Sequence, residues 1–364
     1  MSKRFKSGAV ACLTVGYAIL LLARPQAAAG GFRAGILLCV NSVLPALFPF
    51  FIVSALLLSL PECHAISRPL LPLTRAWGIS SPSAPLLLLM SWLGGYAVCA
   101  RLTGDQLERG QLTSDQAQRL LILGCCSGPG FVVGCVGGLM LGSVQIGVLL
   151  YGLQLAANLL CAALLLLPGR RGKRPAGQAV FAHRPAEQTA ADIRPVTLPQ
   201  AVGTAVDSCL AVCGCVLFAR ITLALLESLL PLHPQQVAYL RGALEVTAGC
   251  DAFAALGGRT ALWGCGFCLS VLGLSVFVQV RQLAGAKMPM GRFLLSRVMH
   301  LPALQGLLRL CSPFLSGVLS VYSSLRQRVI VTNRLPPDAA VVLLLFLAAV
   351  LYKTGRKFYN TFVS

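Results

Sequence analysis

Long apolar runs alternate with short polar segments along the whole chain. The runs cover residues 9–23, 35–60, 84–100, 120–141 and 144–167, then, beyond a polar stretch at 168–200, residues 201–230, 238–256, 262–280 and 339–352. A helix of about 20 apolar residues crosses a bilayer. The pattern therefore predicts an all-α polytopic membrane protein of roughly eight to ten membrane segments. Several runs are interrupted. Asn41, Pro45 and Pro49 break the second, and Gly94-Gly95 falls within the short third. Ser127-Gly128-Pro129-Gly130 breaks the fourth, after which Gly134, Gly138 and Gly142 continue a four-residue spacing. Glycines so spaced line one helix face and predict a close backbone neighbour there. The polar stretch 103–119 reads as a surface segment, with a helix start at Thr113 or Ser114 followed by Asp115.

Composition agrees with this pattern. Of 364 residues, 56% are apolar and 11% charged, whereas a soluble domain has about 25% charged residues. The net charge is +19, from 30 Lys and Arg against 11 Asp and Glu. In so apolar a chain this excess reports orientation rather than nucleic acid, because basic residues collect in cytoplasmic loops. Lys3, Arg4 and Lys6 predict a cytoplasmic N-terminus before an uncleaved first helix. Segment 168–200 holds Arg170, Arg171, Lys173, Arg174, Arg184 and Arg194 against Glu187 and Asp192, and reads as a flexible cytoplasmic linker. Five full crossings before it would leave it outside. If 84–100 enters and leaves on one side, both basic segments are cytoplasmic, so a re-entrant segment is expected near Gly94-Gly95.

The second half carries more charge inside its apolar runs. Asp207, Arg220 and Glu227 interrupt 201–230, and the short run 238–256 contains Arg241, Glu245 and Asp251, mirroring the short run of the first half. Lys287, Arg292 and Arg297 read as cytoplasmic, and 293–325 holds one span or an interfacial helix. Asn41-Ser-Val-Leu44 and Asp207-Ser-Cys-Leu210 each open a long apolar stretch followed by a short one. This order suggests two inverted repeats, as in many secondary transporters. The organisation expected is a first helix (1–32), a first repeat (33–167), the linker (168–200), a second repeat (201–325), and a last helix with a basic tail (326–364).

No enzyme signature is present: no Walker lysine loop, no HExxH and no G-x-S-x-G. The chain is expected to be no enzyme, to need no cofactor or metal, and to bind no nucleic acid. The 15 cysteines lie mostly in apolar runs as small hydrophobes, and Cys265-Gly-Phe-Cys268 lacks a second pair for zinc. Ionisable residues within apolar segments are costly and are the functional candidates. Arg220 and Glu227, seven apart, share a helix face, and Arg241 and Glu245 could form an i, i+4 pair. Broken half-helices present N-termini suited to an anion. Breaks around Ser127 to Gly130 and Gly249, with Arg220 nearby, would favour a small carboxylate. The substrate-binding residues expected are Asn41, Gly94, Gly95, Ser127, Gly128, Gly130, Arg220, Glu245, Gly249 and Gln279.

Several motifs in order resemble one family. They are Asn41-Ser-Val-Leu-Pro-Ala-Leu-Phe-Pro-Phe50, Gly94-Gly-Tyr-Ala-Val-Cys-Ala-Arg-Leu-Thr103, Gln116-Ala-Gln-Arg-Leu-Leu121 and Cys126-Ser-Gly-Pro-Gly-Phe-Val-Val-Gly134. Leu244-Glu-Val-Thr-Ala-Gly249, Gly273-Leu-Ser-Val-Phe-Val-Gln279 and Arg297-Val-Met-His300 continue them. Over about residues 33 to 310 the chain resembles the YlbJ-like sporulation integral membrane proteins, built from nucleoside-recognition or Gate-type repeats. Two positions depart from the pattern: Gly95-Tyr-Ala-Val-Cys99 replaces Gly-x-Pro-x-Gly, and Cys125-Cys126 replaces Asn-Asn. The resemblance implies two inverted Gate-type repeats and a role in endospore formation. The chain would be a multi-pass protein of the cell membrane, at the outer forespore membrane during sporulation, moving dipicolinic acid across it. The partners implied are the small anionic substrate, the lipid bilayer, and either a second copy or other sporulation membrane proteins. A non-transporting scaffold or signalling partner and a nucleoside-type transporter are the alternatives.

Overall fold

The computed structural model describes residues 3–60, 66–166 and 196–322. Most of the linker at 168–200 and the last predicted span at 339–352 lie outside them. Thirteen α-helices are found among the described residues, with two π segments and one short 3₁₀ turn at Arg68–Leu70, and no strand. This is an all-α membrane protein. Among the described residues, four stretches are long and apolar enough to cross a bilayer, and five if the bent first pair counts as one.

The N-terminal helix α1 (Lys3–Ala23) meets α2 (Pro25–Leu38) at a 98° bend around Arg24. Pro25, at the first position of α2, has no N–H to extend the preceding ladder, so the helix restarts there. A π segment, Cys39–Val43, joins α2 to α3 (Leu44–Ser59) just before Pro45. The missing proline donor lets the ladder slip by one residue. A short helix, α4 (Leu71–Ala76), leads to α5 (Ala84–Glu108).

Helix α5 is folded in half. A straight helix of its 25 residues would be roughly 37 Å long. Yet Ser83, which precedes it, donates a 3.2 Å hydrogen bond to Gln106 near its end. The fold lies at Gly95, whose φ of 82° and ψ of −171° only glycine adopts readily. Gly124 sits between the two arms. A Cβ there would lie 2.9 Å from Ser91 Cβ and 3.1 Å from Cys99 Sγ, one on each arm. Gly94-Gly95 is thus a hairpin tip.

Helix α6 (Ser114–Gly124) begins at a reciprocal cap, with Thr113 accepting from Gln116 N and Gln116 accepting from Thr113 N. It ends at the break 125–129, and the chain resumes as the π segment Gly130–Met140 before α7 (Val144–Leu166). The glycine stripe predicted here is not the contact face. Gly130 and Gly134 meet open space, and the close backbone approach is between Gly137 and Gly147. A run read as α-helical puts its glycines in the wrong register once it winds as a π segment.

Helix α8 (Leu198–Leu229) starts at a Thr197–Gln200 capping box, within the segment read as linker. Gly31 and Gly35 let α2 lie directly on it: a Cβ at Gly31 would stand 2.6 Å from Arg220 O. A second hairpin follows. Helices α9 (Pro234–Leu244) and α10 (Val246–Leu256) are separated only by the extended residue Glu245, and Gly242 and Gly249 pack backbone to backbone on either side of it. Then α11 (Gly258–Val271) and α12 (Gly273–Ala284) form a broken pair at Leu272 and Gly273, both at positive φ. Segment 293–325, which the sequence left between a span and an interfacial helix, belongs through residue 322 to α13 (Gly291–Tyr322).

The interior is made by the folded and broken elements. The most apolar window of α5 is 72% buried and that of the α11–α12 pair 67%, against 33% in α7 and 39% in α8, which places the latter two on the periphery. Leu13, Leu22, Val148, Phe218, Leu274 and Val298 remain exposed, as lipid-facing positions do. The two halves also meet at a polar edge, where Asp115 of α6 takes hydrogen bonds from Arg119 and from Arg292 of α13. Partial burial pushes the Asp115 carboxyl upward, but the two guanidinium hydrogen bonds outweigh it and hold it below the usual carboxylate range. A carboxyl lowered on folding adds stability above its unfolded pKa, about 3.9. That contribution disappears as pH falls through the lower folded value. The melting temperature of wild type in detergent should exceed that of Asp115→Asn by a constant margin above about pH 4. The margin should close on further acidification, and one that persists at pH 2 would remove Asp115 from this role.

Candidate functional site

Each hairpin tip rests on a helix break. At the first, a Cβ on Gly95 would lie 2.8 Å from Gly128 N and 3.4 Å from Cys126 O, so the tip backbone touches the break itself. At the second, a Cβ on Gly273 would lie 3.0 Å from Glu245 N, so the α11–α12 break touches the tip of the α9–α10 hairpin. Both contacts require glycine at positive φ.

The first break is held by one face of α7. Tyr151 donates to Trp92 O beside the tip at 2.7 Å. The Gln154 amide accepts from Ser127 N at 3.3 Å and donates to Ser127 O at 3.0 Å. Asn158 donates to Leu123 O and Cys125 O at the end of α6. These three side chains, at i, i+3 and i+7, satisfy backbone groups that the break frees. Gln154→Leu leaves Ser127 N and O unpaired, at roughly 1–3 kcal/mol each. Its melting temperature in detergent should fall by several degrees, and a wild-type value would show that the clasp is dispensable.

Arg297 completes this clasp. Read as a cytoplasmic charge from the sequence, it is instead 3% exposed inside the bundle. It donates to Asn158 Oδ1 at 2.6 Å and lies over the Phe293 ring. The carbonyl end of α6, which Asn158 also contacts, carries partial negative charge that favours a cation. One turn on, His300 pairs with Ser270 Oγ at 3.1 Å and Gln154 O at 3.3 Å, tying α13 to α11 and α7. Their i, i+3 spacing in an apolar run was the available signal.

At the second tip Glu245 caps α10, accepting from Thr247 N at 2.9 Å and Ala248 N at 2.7 Å. Its carboxylate also faces Arg220 of α8 at 3.6 Å, with side-chain exposures of 3% and 20%. This revises both expected pairings. Glu227 binds Arg241 through two hydrogen bonds of 2.7 and 2.8 Å, so Arg220 pairs with neither it nor a neighbour in sequence. The chain turns between 230 and 233 and again at 245, and spacing within one helix no longer governs which charges meet. The N-terminus of α10, expected to be open to an anion, is filled by Glu245.

The other expected site residues divide. Gly249 packs on Gly242 and stiffens the hairpin, while Gly130 faces open space at the start of its π segment. Asn41 is exposed in the first π segment, and its side chain makes no hydrogen bond to the described residues. Gln279 is buried on α12, which lies along the second arm of α5, where a Cβ on Gly104 would meet Ala284 O at 2.7 Å. Among the described residues, the buried polar atoms without a hydrogen-bond partner include Ser127 Oγ, Arg220 Nε, Gln279 Oε1 and both Nε and Nη1 of Arg297. No group of His, Cys, Asp and Glu side chains there has the arrangement of a metal site.

No family model, no curated protein and no solved structure matches the chain.

Proposed function

We propose that the chain is a membrane transporter for a small organic anion, with the substrate bound between the two hairpin tips. The observation that carries this reading is Arg220. Its guanidinium reaches the second tip, remains one-fifth exposed and makes no hydrogen bond to the described residues. The Glu245 oxygens opposite it are already engaged by two backbone N–H groups. An arginine fork with free donors suits a planar carboxylate, which it can hold through two parallel hydrogen bonds. The unpartnered oxygens of Ser127 and Gln279 add polar groups of the kind that position a bound solute.

The architecture supports transport. Two helical hairpins, each seated on a broken helix, give two comparable units, and a pair of inverted Gate-type repeats accounts for the arrangement. In this reading each hairpin is a re-entrant segment whose tip gates one side. Dipicolinate, a pyridine with two carboxylates, and the outer forespore membrane follow from the sporulation-family resemblance. One observation favours a neutral solute of nucleoside type instead: Glu245 balances the charge of Arg220. Uptake of labelled dipicolinate and labelled uridine into proteoliposomes decides between them. Dipicolinate accumulation above empty vesicles is expected. Uridine uptake alone would support the nucleoside reading, and uptake of neither under any imposed gradient would support a scaffold.

A further inference from the structure

The corner between α12 and α13 contains a cleft of about 650 Å³ lined by Phe277, Arg281, Lys287, Met288, Met290 and Leu294, among others. Its two sides differ in chemistry. Phe277, Met288, Met290 and Leu294 supply an apolar wall, and that wall continues along the helices into exposed Leu274, Val278, Leu295 and Val298. In an all-α membrane protein such a strip faces acyl chains.

The other side is basic. Arg281 donates to the carbonyls of Gly285, Ala286 and Met288, which fixes the loop around its guanidinium without neutralising it. Lys287 is exposed beside it and forms no ion pair among the described residues. No acidic side chain lines the cleft. Glu108 approaches the same loop at Gly285, outside the lining. Helix α13 has no acidic residue in its first turn, so its N-terminus adds partial positive charge. Arg292 is already committed to Asp115.

We propose that this cleft binds an anionic phospholipid, with its phosphate at Lys287 and Arg281 and an acyl chain along Phe277, Leu294 and Val298. The apolar strip and the cationic rim meet where a chain end joins a headgroup, and basic pockets between membrane helices recognise such lipids. A free phosphate would use the rim but gain nothing from the wall. The cleft's lining shares no residue with the hairpin tips or with the candidate substrate residues.

Native mass spectrometry of the full chain, released from micelles doped equally with phosphatidylglycerol and phosphatidylcholine, tests the assignment. Wild type should retain phosphatidylglycerol preferentially, Lys287→Arg should match it, and Lys287→Ala should retain roughly fivefold less, with a larger loss for Lys287→Glu. A second measurement compares thermal stabilisation by phosphatidylglycerol with that by inorganic phosphate. Equal retention of the two lipids, unchanged retention in Lys287→Glu, or equal stabilisation by phosphate would each overturn the proposal. Lys287 lies on an exposed loop, so loss of folding does not confound the variants.

Discussion

Arg220→Ala should reduce dipicolinate uptake roughly 30-fold or more, since truncating one partner of a desolvated charge pair costs about 2–5 kcal/mol. The variant also leaves the buried Glu245 carboxylate without its counter-ion, so its melting temperature is measured beside uptake. Glu245 keeps its two N–H donors and the end of α10, so the second tip remains capped. The close contact between Gly31 and Arg220 involves its carbonyl oxygen and is untouched. Arg220→Lys should recover only part of the loss, because an ammonium lacks the planar fork. Glu245→Gln should act in the opposite direction on binding, by removing the internal carboxylate that competes for Arg220. The measurements are initial uptake rate and apparent Kd in proteoliposomes at matched protein density. Wild-type uptake by Arg220→Ala would remove Arg220 from the site and with it the principal support for an anionic substrate.

Gly95→Val should be the most damaging single substitution in the first half. The residue sits at φ 82° and ψ −171°, a region open almost only to glycine and costing about 1–3 kcal/mol for other residues. A Cβ would in addition stand 2.8 Å from Gly128 N, which is backbone and cannot rotate away. Either the hairpin unfolds at its tip or it lifts from the break. Expected results are a fall of many degrees in the temperature at which the detergent-solubilised protein loses its monodisperse peak, and loss of uptake. Gly152→Ala is the control, since nothing lies within 4 Å of a Cβ there on α7 and helical glycine is itself unfavourable. Equal behaviour of the two variants would mean that the tip contact has no mechanical role.

The first half announces its breaks and the second half conceals them. Gly94-Gly95 in a short run and Ser127-Gly-Pro-Gly130 are residues that free the backbone, and a charge count asked for a turn at the former. The turn at 244–246 contains no Gly or Pro, because a glutamate makes it by capping the next helix with its own carboxylate. The α11–α12 break turns on Leu272 and Gly273, both at positive φ, and its only local mark is that single glycine, which an apolar helix also tolerates. The i, i+4 reading of Arg241 and Glu245 failed because α9 ends at Leu244, whereas Arg220 and Glu227 do share continuous α8 and are drawn apart by partners on the α9–α10 hairpin. Arg297 was misassigned because a basic residue near Lys287 and Arg292 counts toward orientation until its burial is known. Gln154 and Asn158 stand out as polar residues in the otherwise apolar run 144–167, but the sequence does not say that they meet a broken backbone.

The buried thiols give the hairpins a built-in clock. Cys99 on the first hairpin, Cys126 within the first break and Cys250 on the second hairpin are each 0% exposed. A thiol reacts as its thiolate and in contact with water, so in the seated arrangement all three are protected from a polar alkylating reagent. If the hairpins gate as proposed, the rate at which each thiol is modified reports how often its own hairpin lifts. Locating the label would then time the two hairpins separately without introducing a probe. A substrate that holds one hairpin closed while the other opens would slow one reaction and quicken the other.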